Sequence, residues 1–501
     1  MQASLSRLGF GGHPAGLRPL FMTELWERFS YYGMRALLVL YMTAPAVHGG
    51  LAWTTESAGR TYGNYTMAIY LLAIPGGFIA DTMLGARRAV LIGGSMIACG
   101  HFALALPTIA SFYAGLILIA LGTGLFKPSI SALVGALYGA RDPRRDAGFS
   151  IFYMGINIGA FLAPLVTGFL AQSTWFKGWL AARGFDPALS WHWGFAAAGV
   201  GMVIAVASFA ARYRSSSEGA TPLAPAPAVG GDMGPGPTGS QGGGLVAAGT
   251  VALLGLLVVS DLPGFQWLRA IFVLAPITAI FWFARAEDLE ARRLAAVFVF
   301  FIASMLFWAV FEQAGTSITL FADQLTHNEI LGRPFPSAWY QALNPLFVIL
   351  LAPMFAALWI RMGARQPSAA TKFVLGLAFL AASLVLMVPA AKLAAVGKVS
   401  PWWLVGLFFL QTLGELCVSP VGLSIMTKLA PPGRAAIMLG IWFLAASWGS
   451  KLAGIMGSRF APDDTQNLAG FFLEQAFVIG LACAALAALV PWLKRQLAGT
   501  E

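Results

Sequence analysis

The chain has 501 residues, 58% of them hydrophobic and only 10% charged, with a mean hydropathy of +0.74. That balance excludes an ordinary soluble domain. The net charge of +10 does not mark a nucleic-acid-binding surface either, because the Lys and Arg residues fall in short clusters between apolar runs.

Runs of roughly 18 to 30 apolar residues recur almost from end to end, the length a helix needs to cross a bilayer and far longer than the alternating segments of a membrane barrel. The pattern predicts an all-α polytopic membrane protein with spans near 17–43, 60–83, 88–107, 109–138, 147–172 and 191–211. A second series follows near 245–262, 266–284, 292–321, 338–361, 371–390, 401–429, 434–457 and 468–493, which makes fourteen. The first twenty residues hold no charged segment followed by a long apolar one, so no cleavable signal peptide is expected. Between the two series, 213–244 is rich in Gly, Pro, Ser and Ala and reads as a flexible linker. Clusters such as Arg87 and Arg88, Arg141, Arg144 and Arg145, and Lys494 and Arg495 fall on one side of the predicted topology. The positive-inside rule then puts both termini in the cytoplasm. "GARR" at 85–88 is echoed by "GARQ" at 363–366, each after the second helix of a six-helix set, the weak internal symmetry expected of a duplicated transporter. On that count 245–284 holds two inserted helices, joined by a turn around Asp261 and Pro263.

The first span is interrupted by "ELWERFSYYGMR", where Glu24, Glu27, Arg28, Tyr31 and Arg35 recur at spacings of three or four and line one helix face. Later spans carry Lys127, Glu312 and Glu415. A charge at the centre of a membrane helix costs roughly 2.5–3.5 kcal/mol on insertion scales, so each requires a partner or water. Buried ion pairs that only fix packing would supply partners. The polar companions favour a wet path in a central cavity: Thr123 and Ser131 share a face with Lys127, Trp308 with Glu312, and Gln411 and Ser419 with Glu415. Tyr70, Tyr153, Asn157, Trp308, Asn344 and Trp442 fit either ordinary packing or the wall of that path. Cys99, Cys417 and Cys483 show no CxxC spacing and are expected in core packing. No HExxH, GxSxG or P-loop spacing is present, so neither a metal site nor an enzyme is expected. In "GGFIADTMLGARR", 76–88, the glycines permit a tight turn and close helix approach, while Asp81, Arg87 and Arg88 can latch helix ends.

That last segment resembles the loop motif of the major facilitator superfamily. Glu24, Glu27 and Arg28 reproduce an ExxER motif, and the chain resembles the proton-dependent oligopeptide transporter (POT) family through it, through "GGFIADTMLGARRAVLIGG" and through "FSIFYMGINIGAF" at 149–161. The resemblance implies a major facilitator fold with an N-terminal six-helix bundle at 1–212, a linker and two inserted helices at 213–290, and a C-terminal bundle at 291–501. It also implies a bacterial inner-membrane symporter that imports di- and tripeptides by alternating access, with the proton as coupling ion and no other cofactor. The partners it implies are peptides, protons and membrane lipid, without nucleic acid. Residue by residue, it places proton coupling on Glu24, Glu27, Arg28 and Glu312, and the peptide carboxylate on Arg35 and Lys127. The peptide amino end falls to Glu415 with Asn344 and Asn157, pocket walls to Tyr31, Tyr70, Tyr153, Trp308 and Trp442, and a cytoplasmic gate to Asp81, Arg87 and Arg88. No histidine lies in mid-span two, where some animal relatives hold a proton-linked one. A peptide-binding receptor without transport, or a carrier of nitrate or drugs, is the rival expectation.

Overall fold

The computed structural model describes residues 8–9, 12–139, 142, 144–216, 255–256, 259–261, 264, 266–285, 289–429, 435–464 and 466–497. Most of the predicted linker (217–244), most of the first inserted span and Pro263 lie outside them. The described chain is overwhelmingly helical, as it must be where no water is present to satisfy backbone polar groups. It falls into two compact units, one formed by Met1–Leu51 and Leu71–Thr250, the other by Ala52–Tyr70 and Val251–Glu501.

In the first unit a two-residue antiparallel ribbon, β1 (Leu8–Gly9) and β2 (His13–Pro14), precedes helix α1 (Leu17–Thr43). It is held by His13, whose Nδ1 lies 2.9 Å from the Tyr138 hydroxyl, and by Arg144, which donates to the Gly12 carbonyl at 3.0 Å. The Arg144 guanidinium also binds Asp142 and holds that carboxyl down at about 2. Helix α1 packs along α5 (Arg145–Gln172) and α7 (Ser190–Ser216), and α3 (Ala86–Leu104) packs on α4 (Ile109–Ala136) and α7. The closing segment of α2 (Thr55–Ile79) ends in a π-turn, Ala80–Leu84, and Gly85 at φ +73° completes the tight turn expected from the sequence. The expected close approach is there too: a Cβ on Gly76 would collide with the Gly124 carbonyl of α4.

A short helix, α6 (Thr174–Ala181), lies where the sequence suggested only a loop. Ser173 caps it, and its aromatic face stacks Phe176 on Trp179 while Trp175 stays exposed, the composition of an interfacial segment.

The second unit holds the opening half of α2, then α8 (Arg269–Ala284), α9 (Leu289–Phe311), α10 (Ser317–Gln324), α11 (Leu343–Met362), α12 (Ala369–Ala394), α13 (Trp402–Lys428), α14 (Ala435–Gly457) and α15 (Leu468–Leu497). Helix α9 packs on α8 and α14, and α12 on α13 and α15. A small ribbon of β3 (Glu329–Ile330) and β4 (Arg333–Pro334) caps the α10–α11 connection. The sequence suggested one continuous span over 292–321. The structure breaks it at a 3₁₀ turn, Glu312–Gly315, followed by Thr316 at φ −127°, ψ −100°. A side chain on Gly315 would collide with the Tyr62 hydroxyl, so the break makes room for α2.

Among the described residues nine helices are long and apolar enough to cross a bilayer. Helix α1, at 27 residues, is long enough but too charged to count among them. Its charged stretch is seated instead by glycine. A Cβ on Gly159 of α5 would collide with the Leu25 carbonyl and crowd Arg28, and one on Gly33 would strike Thr167. Gly159→Val must therefore push α1 off α5. Overpacking of this kind costs typically 1–3 kcal/mol, and the variant is expected to show a lowered melting temperature in detergent; an unchanged one would show that the seam has slack.

Candidate functional site

Helical spacing brings Glu24, Glu27 and Arg28 onto one buried face of α1. Arg28 Nε lies 3.1 Å from Glu24 Oε1 and also donates to Glu27 Oε2, so one guanidinium is shared by two carboxylates. Lys127 on α4 lies within electrostatic reach of Glu24. The Arg28 guanidinium sits 5.5 Å from the centre of the Tyr31 ring, and that of Arg35, also buried, 5.8 Å from the Tyr32 ring, positions that favour a cation. Among the described residues Glu24 Oε2, Glu27 Oε1 and Arg28 Nη2 have no hydrogen-bond partner. Buried polar atoms of this kind are normally satisfied by water or a ligand.

On the neighbouring α5, Asn157 is buried and donates to the Tyr153 carbonyl at 3.0 Å, while Tyr153 is itself exposed. Asp81 and Arg88 lie exposed around the π-turn, with Arg87 partly covered.

In the second unit Glu415 of α13 accepts a hydrogen bond from Asn344 Nδ2 at 2.8 Å, and the same nitrogen lies 3.0 Å from the Thr412 hydroxyl. Asn344 can reach because it stands in the first turn of α11. Glu312 is buried at the α9 break and lies within electrostatic reach of Glu415. The sequence-derived polar stripes persist: Trp308 Nε1, both amide atoms of Gln411 and Ser419 Oγ are buried without a partner among the described residues. Four unsatisfied groups on the faces that carry Glu312 and Glu415 suit water or a polar ligand better than dry packing. Trp442 is packed, against Phe373 at 6.4 Å between ring centres and against Gly422, where a side chain would collide with its ring. Tyr70 stands half-buried on α2, and Tyr31 is buried.

Two corrections follow. Cys99 is exposed on α3, so the expected core packing fails for it, while Cys417 is buried and Cys483 half-buried; all three are free thiols. A third mid-helix cluster, not anticipated, is built on Lys451 of α14, which is only 4% exposed and is ion-paired to Asp261. The rule that singled out Lys127 applies equally to Lys451, which lies inside the span expected over 434–457 and was not singled out.

Helices of this length and number, with two half-satisfied charge clusters in their interiors, define a polytopic membrane transporter. The chain belongs to the POT family, whose sequence profile it matches over residues 87–216 and 266–468. It is 38% identical to the peptide transporter YePEPT of Yersinia enterocolitica, over all of this chain and 99% of that one. It is also 38% identical to a di-/tripeptide transporter of Lactococcus lactis subsp. cremoris, over 87% of this chain and 88% of that one. A solved peptide transporter POT in complex with alafosfalin superposes with a TM-score of 0.84 at 37% identity, covering 99% and 98% of the two chains. A POT family transporter in complex with a thioalcohol-conjugated peptide gives 0.81 at 30% identity, covering 97% and 98%. The fold is the major facilitator fold, and the protein is a transporter and not an enzyme.

The shared guanidinium makes a testable demand. Arg28→Met leaves two buried carboxylates without their cation, a change that typically costs roughly 3–5 kcal/mol, and a clear loss of melting temperature is expected. Adding Glu24→Gln and Glu27→Gln to Arg28→Met removes the orphaned charge and is expected to recover most of that loss.

Proposed function

We propose that the protein is a proton-coupled symporter that carries di- and tripeptides across a bacterial inner membrane, with both termini in the cytoplasm. The observation that carries this reading is the division of charge: cations Arg35 and Lys127 in one unit, and the anion Glu415, held by Asn344, in the other. A zwitterionic peptide presents a carboxylate at one end and an ammonium at the other. Arg35 and Lys127 bind the first, and Glu415 with Asn344 and Asn157 the second. Tyr31, Tyr70, Tyr153, Trp308 and Trp442 wall the side-chain pockets, where aromatic surface accepts varied side chains because it offers area and few directional constraints.

Coupling follows from burial. A buried carboxylate resists ionisation, and a nearby cation opposes that resistance, so a Glu that gains or loses its cation takes up or releases a proton. Glu312, buried at the α9 break, is the first such group and takes up the coupling proton. Glu24, Glu27, Arg28 and Lys127 form the second, linked network, in which the donor-less carboxylate oxygens receive the proton. A membrane potential of 100 mV adds roughly 2.3 kcal/mol per charge moved, enough to drive accumulation. Asp81, Arg87 and Arg88 latch the cytoplasmic end. The proton is the coupling ion, membrane lipid is the surrounding partner, and no other cofactor or nucleic acid takes part.

The test uses purified protein in liposomes with a trapped pH dye and an interior-negative potential. A di- or tripeptide added outside is expected to acidify the interior, whereas nitrate or a free amino acid is not. Glu312→Gln is expected to abolish this acidification while keeping peptide exchange across the membrane. Peptide binding without acidification in the parent protein would favour a receptor, and acidification with nitrate alone would overturn the substrate.

A further inference from the structure

Helix α2 is one continuous helix that belongs to both units: residues up to Tyr70 cluster with the second and residues from Leu71 with the first. Pro75 lies inside it and has no N–H to bond the carbonyl four residues earlier, which is Leu71. Gly76 and Gly77 follow at once. The helix is therefore weakest where it passes from one unit to the other.

Its opening half is seated on α14 at backbone contact. A Cβ on Gly63 would meet the Gly454 Cα at 2.9 Å, and one on Gly59 would meet Ser458 N at 2.8 Å and the Gly454 carbonyl at 2.9 Å. The Ser447 hydroxyl donates to the Met67 carbonyl at 3.0 Å, and Gly457 abuts Thr316 just after the α9 break. Small residues permit this approach and the backbone packing that comes with it, but they supply no charged or strongly directional bond.

That bond comes from the charge cluster beside the seam. Lys451 Nζ, buried on α14, binds both Asp261 Oδ2 and Asn64 Oδ1. Asn64 Nδ2 donates to the same Asp261 oxygen at 3.0 Å, which closes a three-membered ring of bonds. Arg60, one turn earlier on α2, donates to the Asp261 carbonyl at 3.4 Å. Asp261 belongs to neither helix; it stands in the turn before the second inserted helix. The turn before α8 thus supplies the counter-ion of a buried membrane lysine, which cannot remain there unpaired.

We propose that Asp261, Lys451 and Asn64 form a latch that clasps the opening half of α2 to α14, so that the inserted helices control when the outer end of the transport path opens. When the latch is closed, the seam between Gly59, Gly63 and Gly454 is dry. When it parts, the opening half of α2 swings from α14 about the Pro75–Gly77 weak point. Calling this end outer rests on the topology given under Proposed function.

The test reads accessibility and needs no substrate. Thr66 is fully buried on α2 beside the seam, and Thr66→Cys is introduced after Cys99→Ser, Cys417→Ala and Cys483→Ala. Intact cells are then treated with a membrane-impermeant maleimide. Lys451→Met and Asp261→Asn are each expected to raise the labelling rate several-fold, and the exchange Asp261→Lys with Lys451→Asp to return it toward the parent rate. Single variants that label at the parent rate would overturn the latch, as would an exchange variant that labels as fast as the singles. If the single variants do not fold, Asn64→Leu, which leaves the ion pair intact, decides: a raised rate supports the latch and an unchanged rate overturns it. Failure of peptide uptake in the parent would overturn the symport reading and leave the labelling result standing.

Discussion

A charge inside a membrane-spanning helix must be matched, because the surrounding hydrocarbon and packed side chains cannot solvate it. This constraint organises the molecule. Arg28 answers Glu24 and Glu27 within a single helix face. Asn344 answers Glu415 through a neutral donor, a weaker match that leaves the carboxylate readier to accept another partner. Lys451 takes its anion from the turn that precedes α8. The first match is incomplete, with Glu24 Oε2, Glu27 Oε1 and Arg28 Nη2 left over; a fully satisfied network holds one state, whereas a partly satisfied one can exchange partners.

Close helix approach depends on glycine at these same places. Gly159 lets the α1 carbonyl of Leu25 come down onto α5 and so fixes where Arg28 points, while Gly63 and Gly454 bring α2 onto α14 beside Lys451. Without a hydrophobic drive between helices in lipid, packing of this kind together with interhelical polar bonds carries the association. The glycines and the charges therefore act at the same places: the first bring backbones close, the second supply a directional bond.

The break in α9 unites these themes. Glu312 stands at the first residue of the 3₁₀ turn and Gly315 at its last, where Tyr62 of α2 fills the space a side chain would need. A 3₁₀ stretch between helical segments often marks a hinge, and Glu312 stands at its first residue.

Much of this was legible in the residues alone. Apolar run length identified most of the helices, and the rule that membrane charges require partners singled out Glu24, Glu27, Arg28, Lys127, Glu312 and Glu415. The glycines of 76–88 foretold both the turn at Gly85 and the contact at Gly76. Three features did not show. The 3₁₀ break after Phe311 carries no proline, and Tyr62, which packs against it at Gly315, lies far away in sequence. Helix α6 is too short for a hydropathy window. Lys451 sits among glycines and serines whose role is visible only once α2 lies upon them. Hydrophobicity and charge are properties of single residues and of local period, so the sequence by itself determined which segments enter the membrane and which side chains are out of place there. The pairing of Arg28 with Glu24 and Glu27 is local to α1 and follows from that period, but the partners of Glu415 and Lys451 come from distant parts of the chain, and only the tertiary structure decided that Glu415 takes Asn344 and that Lys451 takes Asp261.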